Sequence, residues 1–262
     1  MLSRIIGAVA LIVAIPSPCF APTDVTPEPP SASVAAEAAQ SRPPYLVTES
    51  EHLIITFEAD EAVLKSLLPP DLKPAEGNIA GVNMYRTGPV VGLPPFTASF
   101  IWINIAGPDS PDGTKGRWMV QGWYGPEPVP TALRTHAGLP VQVGTTRLQR
   151  EGNQLHAVLT SEGADLIDAT ITVKDEAPAK ASGVVNYAVW GQNITTNDSV
   201  PQDGIVFNRV PYVGEATPAT PVALTLRLRG SDPARVLQPK RLLGASYLRS
   251  SGAVLGVVQK AP

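Results

Sequence analysis

The chain has 262 residues, 44% of them hydrophobic, enough to bury one sizeable core within a single domain. Its formal net charge is -3, and it has neither basic clusters nor long charge runs. These features argue against a nucleic-acid partner held through phosphate contacts.

Residues 1–21 have the make-up of a secretory signal. Arg4 gives a positive start, and Ile5 to Ile15 form an apolar run too short to span a bilayer. Pro16, Ser17 and Pro18 interrupt that run. Cys19 and Ala21 put small residues at the usual cleavage positions, although Pro22 directly after them is a poor residue for cleavage. This predicts a secreted or periplasmic protein with no stable membrane insertion once the signal is removed. Cys19 is the one cysteine in the sequence. Its removal with the signal would exclude structural disulfides, thiol nucleophiles and cysteine-ligated metals. Residues 22–44 are rich in Pro, Ala, Ser and Glu, cannot bury enough apolar area to offset chain entropy, and are expected to form a disordered tether.

The folded domain is expected over 45–262. His52–Phe57 has the β-branched and aromatic character of a buried strand. Asp60 is placed to cap a short helix carrying Val63, Leu64, Leu67 and Leu68, which Pro69-Pro70 ends. Strands follow at Ala98–Ile105, Arg117–Tyr124, Gln154–Thr160 and Leu166–Val173, and then at Val184–Trp190, Val222–Arg229 and Ala253–Val258. Turn signals separate them at Pro111-Asp-Gly113, Glu151-Gly-Asn153 and Gln202-Asp-Gly204. Thr131–Ala137 can form one or two helical turns stopped by Gly138 and Pro140. Many short strands with few helices predict a mainly β, or β-rich α+β, domain: a β-barrel with a few short helices.

Three stretches resemble acetoacetate decarboxylases. They are Arg42-Pro-Pro-Tyr45 with Glu49–Asp60 and Leu68-Pro-Pro-Asp-Leu72, then Gly92–Ser99, then Leu133-Arg-Thr-His-Ala-Gly-Leu-Pro140. Together they span roughly residues 42–175. The resemblance implies a barrel around a small-molecule cavity, and it leaves a homo-oligomer open. In that family a lysine after the loop proline forms a Schiff base with a β-keto acid. Val141 and Gln142 stand at the matching positions here, and neither can form an imine. Ser50 matches the family's strand arginine, while Asn83 and Ala98 match its two carboxylates. Arg134 matches the loop arginine, with Thr135 in place of the glutamate beside it. The resemblance therefore implies a cavity formed by Ser50, Asn83, Ala98, His136, Val141 and Gln142, with the Schiff-base chemistry removed.

Another lysine would have to supply the missing amine. Lys115 lies in a polar turn, and no other lysine has the apolar flanks that would depress its pKa. Among the histidines His52, His136 and His156, His136 lies in the resembling loop and His156 on a strand surface. No pair has metal-ligand spacing, and no dinucleotide, phosphate-loop or nucleophile-elbow motif occurs, so neither metal nor cofactor is expected. Asp165 and Asp168, after Glu162, fit a turn entering a strand. Trp102, Trp118, Trp123 and Trp190 fall on expected strands, and a barrel interior lined by them would suit an apolar or planar ligand. Asn193-Ile-Thr195 and Asn197-Asp-Ser199 are glycosylation sequons. Three readings follow: a small-molecule binder, a lysine-independent lyase-type enzyme using Arg134 for a carboxylate and His136 for a proton, and a non-catalytic surface protein.

Overall fold

The computed structural model describes residues 42–107, 109, 115–190, 205–230, 232–255 and 257–260. The expected signal and nearly all of the tether lie outside these residues, as do Cys19, both sequons and the turns at 111–113 and 202–204. None of the helices in the described part is long and apolar enough to cross a membrane.

Fourteen strands form one sheet system: β1 Tyr45–Glu58, β2 Lys73–Pro74, β3 Ile79–Thr87, β4 Val90–Val91, β5 Thr97–Ala106, β6 Arg117–Gly125, β7 Val141–Val143, β8 Thr145–Glu151, β9 Gln154–Ser161, β10 Ala164–Val173, β11 Ala179–Trp190, β12 Ile205–Leu226, β13 Arg241–Val254 and β14 Val257–Lys260. Two helices, α1 (Glu61–Leu67) and α2 (Val129–Ala137), interrupt them. Asp60 caps α1 as expected, accepting from the Ala62 N–H at 2.9 Å. Gly138 ends α2 with φ 63°, the left-handed conformation that glycine adopts without a Cβ penalty.

The strand pairings close on themselves. The order β11-β6-β5-β3-β1-β13-β12 returns to β11, because β12 pairs with both β13 and β11. Seven strands therefore form a ring. Beyond Ala219, β12 leaves β13 and pairs with β10, which continues through β9 to β8. This second sheet packs against the outside of the ring. The Ser99 and Thr146 hydroxyls, 2.7 Å apart, join β5 to β8 across the contact.

Side-chain alternation divides the apolar residues into two sets. On β1, Leu53, Ile55 and Phe57 face the second sheet, where they meet Leu155, Leu159, Ile167 and Ile171. Ser50, His52 and Ile54 face the ring interior instead. Tyr45, Phe96, Phe100, Tyr124 and Tyr187 fill the inner set. Trp102 also lies inward, over Gly81, while Trp118 and Trp123 pack in the outer core.

The expected strand limits fail in the carboxy-terminal third. The segment expected at 222–229 is the end of a 22-residue strand, and most of β13 was not expected at all. Pro211, Pro218 and Pro221 within β12 argue against a central strand in sequence terms. Pro218 lies where β12 changes partners, and Pro221 lies at the register shift opposite Ile171. There the missing N–H disturbs the ladder least.

Candidate functional site

The ring encloses a cavity of about 190 Å³ to which all seven ring strands contribute. This is smaller than the roughly 300–1,000 Å³ of drug-sized sites, so it suits a small ligand.

One wall is aromatic. Tyr85 on β3 stacks on His52, and Phe96, Phe100 and Tyr124 meet Tyr85 edge-on at 5.8–6.3 Å. Ala98 makes this possible. It lies between Tyr85 and Tyr124 on the neighbouring strands, and its methyl group leaves room for their hydroxyls to meet at 3.5 Å. Burial raises the pKa of Tyr85, Tyr124 and Tyr187, which keeps these phenols protonated.

The polar wall is built on β1 between its two neighbours. Ser50 and His52 are two residues apart and therefore share a face. Asn83 comes diagonally from β3, and Ser250 pairs directly with Ser50 from β13. His52 Nδ1 lies 3.1 Å from Asn83 Oδ1, and His52 Nε2 lies 2.7 Å from Ser50 Oγ. Ser50 Oγ is also 2.7 Å from the Ser250 carbonyl oxygen and 3.1 Å from Ser250 Oγ. Burial lowers the His52 pKa from 6.5 to about 4, against the smaller opposing effects of Asn83 and Glu51. The imidazole is thus neutral at pH 7. Asn83 Oδ1 can only accept, so the ring proton is on Nδ1 and Nε2 carries the lone pair.

Arg117 enters at another point of the cavity wall. Its guanidinium carbon lies 4.6 Å from the Trp102 ring centroid, and the group hydrogen-bonds Tyr187. Its Nε is buried without a hydrogen-bond partner. Asn208 donates to the Ala137 carbonyl at 2.6 Å, which fixes the amide orientation, and its Oδ1 is likewise buried and unsatisfied. Among the described residues lining the cavity, Arg117 is the one cation, and no lysine or carboxylate is present.

The six residues expected around a cavity separate in the structure. Ser50 and Asn83 line it, and Ala98 supports its aromatic wall. His136, Val141 and Gln142 are not among its lining residues. Val141 is buried beside Gly122, where β7 pairs with β6. Gln142 hydrogen-bonds Asp232 at 3.2 Å in a separate open groove that Arg134 also borders. Arg134 binds the Val141 carbonyl at 3.0 Å and the Thr131 hydroxyl at 2.9 Å, which fixes the loop after α2. Sequence reasoning missed His52, Tyr85, Arg117, Tyr187, Asn208 and Ser250. A signal existed for His52: Ser50 and His52 alternate with Leu53, Ile55 and Phe57, giving a strand with one polar face. No three His, Cys, Asp or Glu side chains among the described residues are grouped to hold a metal.

A closed strand ring around a small aromatic and polar cavity, braced by a second sheet, defines the class of fold. The chain belongs to the acetoacetate decarboxylase family, whose model matches residues 22–259. Its fold is similar to that of acetoacetate decarboxylase from Legionella pneumophila, with TM-score 0.66, 19% identity, and 83% of this chain and 88% of that one covered. It is also similar to the enduracididine biosynthesis enzyme MppR complexed with pyruvate, with TM-score 0.64, 14% identity, and coverage of 83% and 90%. An acetoacetate decarboxylase-like enzyme from Sphingomonas wittichii RW1 has TM-score 0.61, 13% identity, and coverage of 83% and 93%. No curated protein sequence matches the chain at a significant level.

Proposed function

We propose that the protein is exported and that its strand ring binds a small organic acid without forming a Schiff base. The observation that carries this reading is Arg117: a cation on the cavity wall whose buried Nε–H has no acceptor. A buried donor left unpaired costs about 1–3 kcal/mol, so a ligand acceptor at that point gains more than it would elsewhere. Asn208 Oδ1 adds an unsatisfied acceptor that suits a hydroxyl or N–H on the same ligand. The body of the ligand would lie against Tyr85, Phe96 and Phe100.

Further support comes from what the wall lacks and from a relative. The six described lysine side chains, Lys65, Lys73, Lys115, Lys174, Lys180 and Lys240, are all exposed. None of them has the buried, apolar surroundings that activate an amine for imine formation. The structural neighbour MppR binds pyruvate, a keto acid small enough for a cavity of this size. Residues 1–21 supply the export signal.

Native mass spectrometry against the denatured mass, combined with melting curves in a panel of small carboxylic acids and their neutral amides, tests the proposal. A copurifying acid, or stabilisation by acids and not by their amides, is expected. An empty protein that no acid stabilises would overturn it.

A further inference from the structure

Three cavity residues have a relationship that small-molecule binding does not require. A hydroxyl, an imidazole and an amide follow one another in hydrogen-bond contact: Ser50 Oγ to His52 Nε2 at 2.7 Å, and His52 Nδ1 to Asn83 Oδ1 at 3.1 Å. This is the arrangement of a nucleophile, its base, and a group that orients the base. We propose that Ser50 is a nucleophile, with His52 as its general base and Asn83 as a positioning residue, and that it takes an acyl group from small carboxylic esters or thioesters. The proposal rests on the reading that the cavity admits small molecules, and it adds a covalent step to that reading.

The local backbone favours this use of Ser50. The β1–β13 register shifts between Val47 and Ser50, so an irregularity lies directly before the serine. Such irregularities re-aim side chains beside active sites. On the far side of the imidazole, Asn83 holds the Nδ1 proton, which leaves the Nε2 lone pair directed at Ser50. Stacking on Tyr85 limits the ring's rotation. Ser50 also has a second acceptor, the Ser250 carbonyl at 2.7 Å. Its one proton can therefore point to either, and Ser250 Oγ, 3.4 Å from His52 Nε2, can donate there when Ser50 does not. Attack requires the rotamer in which Ser50 donates to His52, and the short contact already permits it.

In the reaction, Ser50 Oγ bonds to the acyl carbon as its proton passes to His52 Nε2. The bond from the acyl carbon to the leaving oxygen or sulfur breaks, and the leaving group takes the proton from the imidazolium. Water then attacks the seryl ester with His52 again as base, which frees the acid and restores Ser50. The sum is ester plus water giving acid plus alcohol, or thiol for a thioester, with no oxidant or reductant.

The test is to mix the protein with p-nitrophenyl acetate, follow release of p-nitrophenolate, and map the acetylated peptide. A burst of about one equivalent with the acetyl group on Ser50 is expected. S50A and H52Q should each lower the burst at least ~100-fold while melting as cooperatively as the parent. N83L should lose it and N83D keep it, because the aspartate retains the accepting oxygen. S50C guards against a misfolded S50A, since its thiol should be acylated faster than the exposed thiol of free cysteine under the same conditions. Acetylation only on surface lysines, or a burst unchanged in S50A, would overturn the proposal. Small-acid stabilisation that persists in S50A would show that such a failure concerns the covalent step and not the binding reading.

Discussion

Tyr85 lies face to face with His52, their ring centroids 4.6 Å apart and their planes 17° from parallel. The stack covers one face of the imidazole. Asn83 and Ser50 occupy its two nitrogens. This is why burial dominates the His52 titration and lowers its pKa to about 4.

The stability of the fold should depend on pH accordingly. Above about pH 6.5 His52 is neutral in both the folded and unfolded chains, and it adds no pH dependence. Between pH 6.5 and pH 4 the unfolded chain takes up a proton that the folded one refuses, so stability falls as pH falls. The loss from this residue is of order 3 kcal/mol across that window. Urea titrations at several pH values would measure it, and H52Q should flatten the dependence there. An unchanged slope in H52Q would place the effect on another group.

Treatment with acetoacetate and borohydride should leave the intact mass of the protein unchanged. The described lysine side chains are on the surface and none lines the cavity, so among the described residues no amine is positioned and desolvated for imine formation. A stable adduct located on any lysine would contradict the proposed absence of Schiff-base chemistry.

R117Q should weaken binding of a small carboxylate by about 2 kcal/mol, roughly thirtyfold in Kd. It should weaken binding of the corresponding amide much less. Calorimetric titration of both ligands separates loss of the charge from general disturbance of the cavity, because disturbance would weaken the two equally.

H136A should bind the same small acid with unchanged affinity. The residue is on α2, outside the cavity lining, and the proton-transfer role expected for it from its loop does not correspond to any position on the wall. A tenfold loss of affinity with an unchanged melting temperature would return His136 to the site.

G81A should destabilise the protein by about 3 kcal/mol through overpacking. A Cβ at Gly81 would collide with the Trp102 ring, which crosses from β5 over β3 at this residue. Trp102 in turn supports Arg117, so the change should also weaken acid binding. Denaturant midpoints and the same calorimetric titration check the two effects.

The strand-rich class, the first strand with its alternating faces, the capped helix after Asp60 and the family are all legible along the chain. Each is a local signal: a two-residue period, a cap, or a motif order readable along one segment of chain. The family resemblance pointed to Ser50 and Asn83, and both line the cavity. The same resemblance pointed to His136, Val141 and Gln142, which are not among the residues lining the cavity. Which side chains meet depends on the folded arrangement. Ser250 reaches Ser50 across 200 positions of chain, on a strand whose glycines and serines gave no strand signal. Arg117 and Tyr187 come together where β6 and β11 touch for two residue pairs. Such contacts depend on the register of strands distant in sequence. That register is fixed by ring closure and by the packing of a second sheet on its outer face, so no single segment carries it.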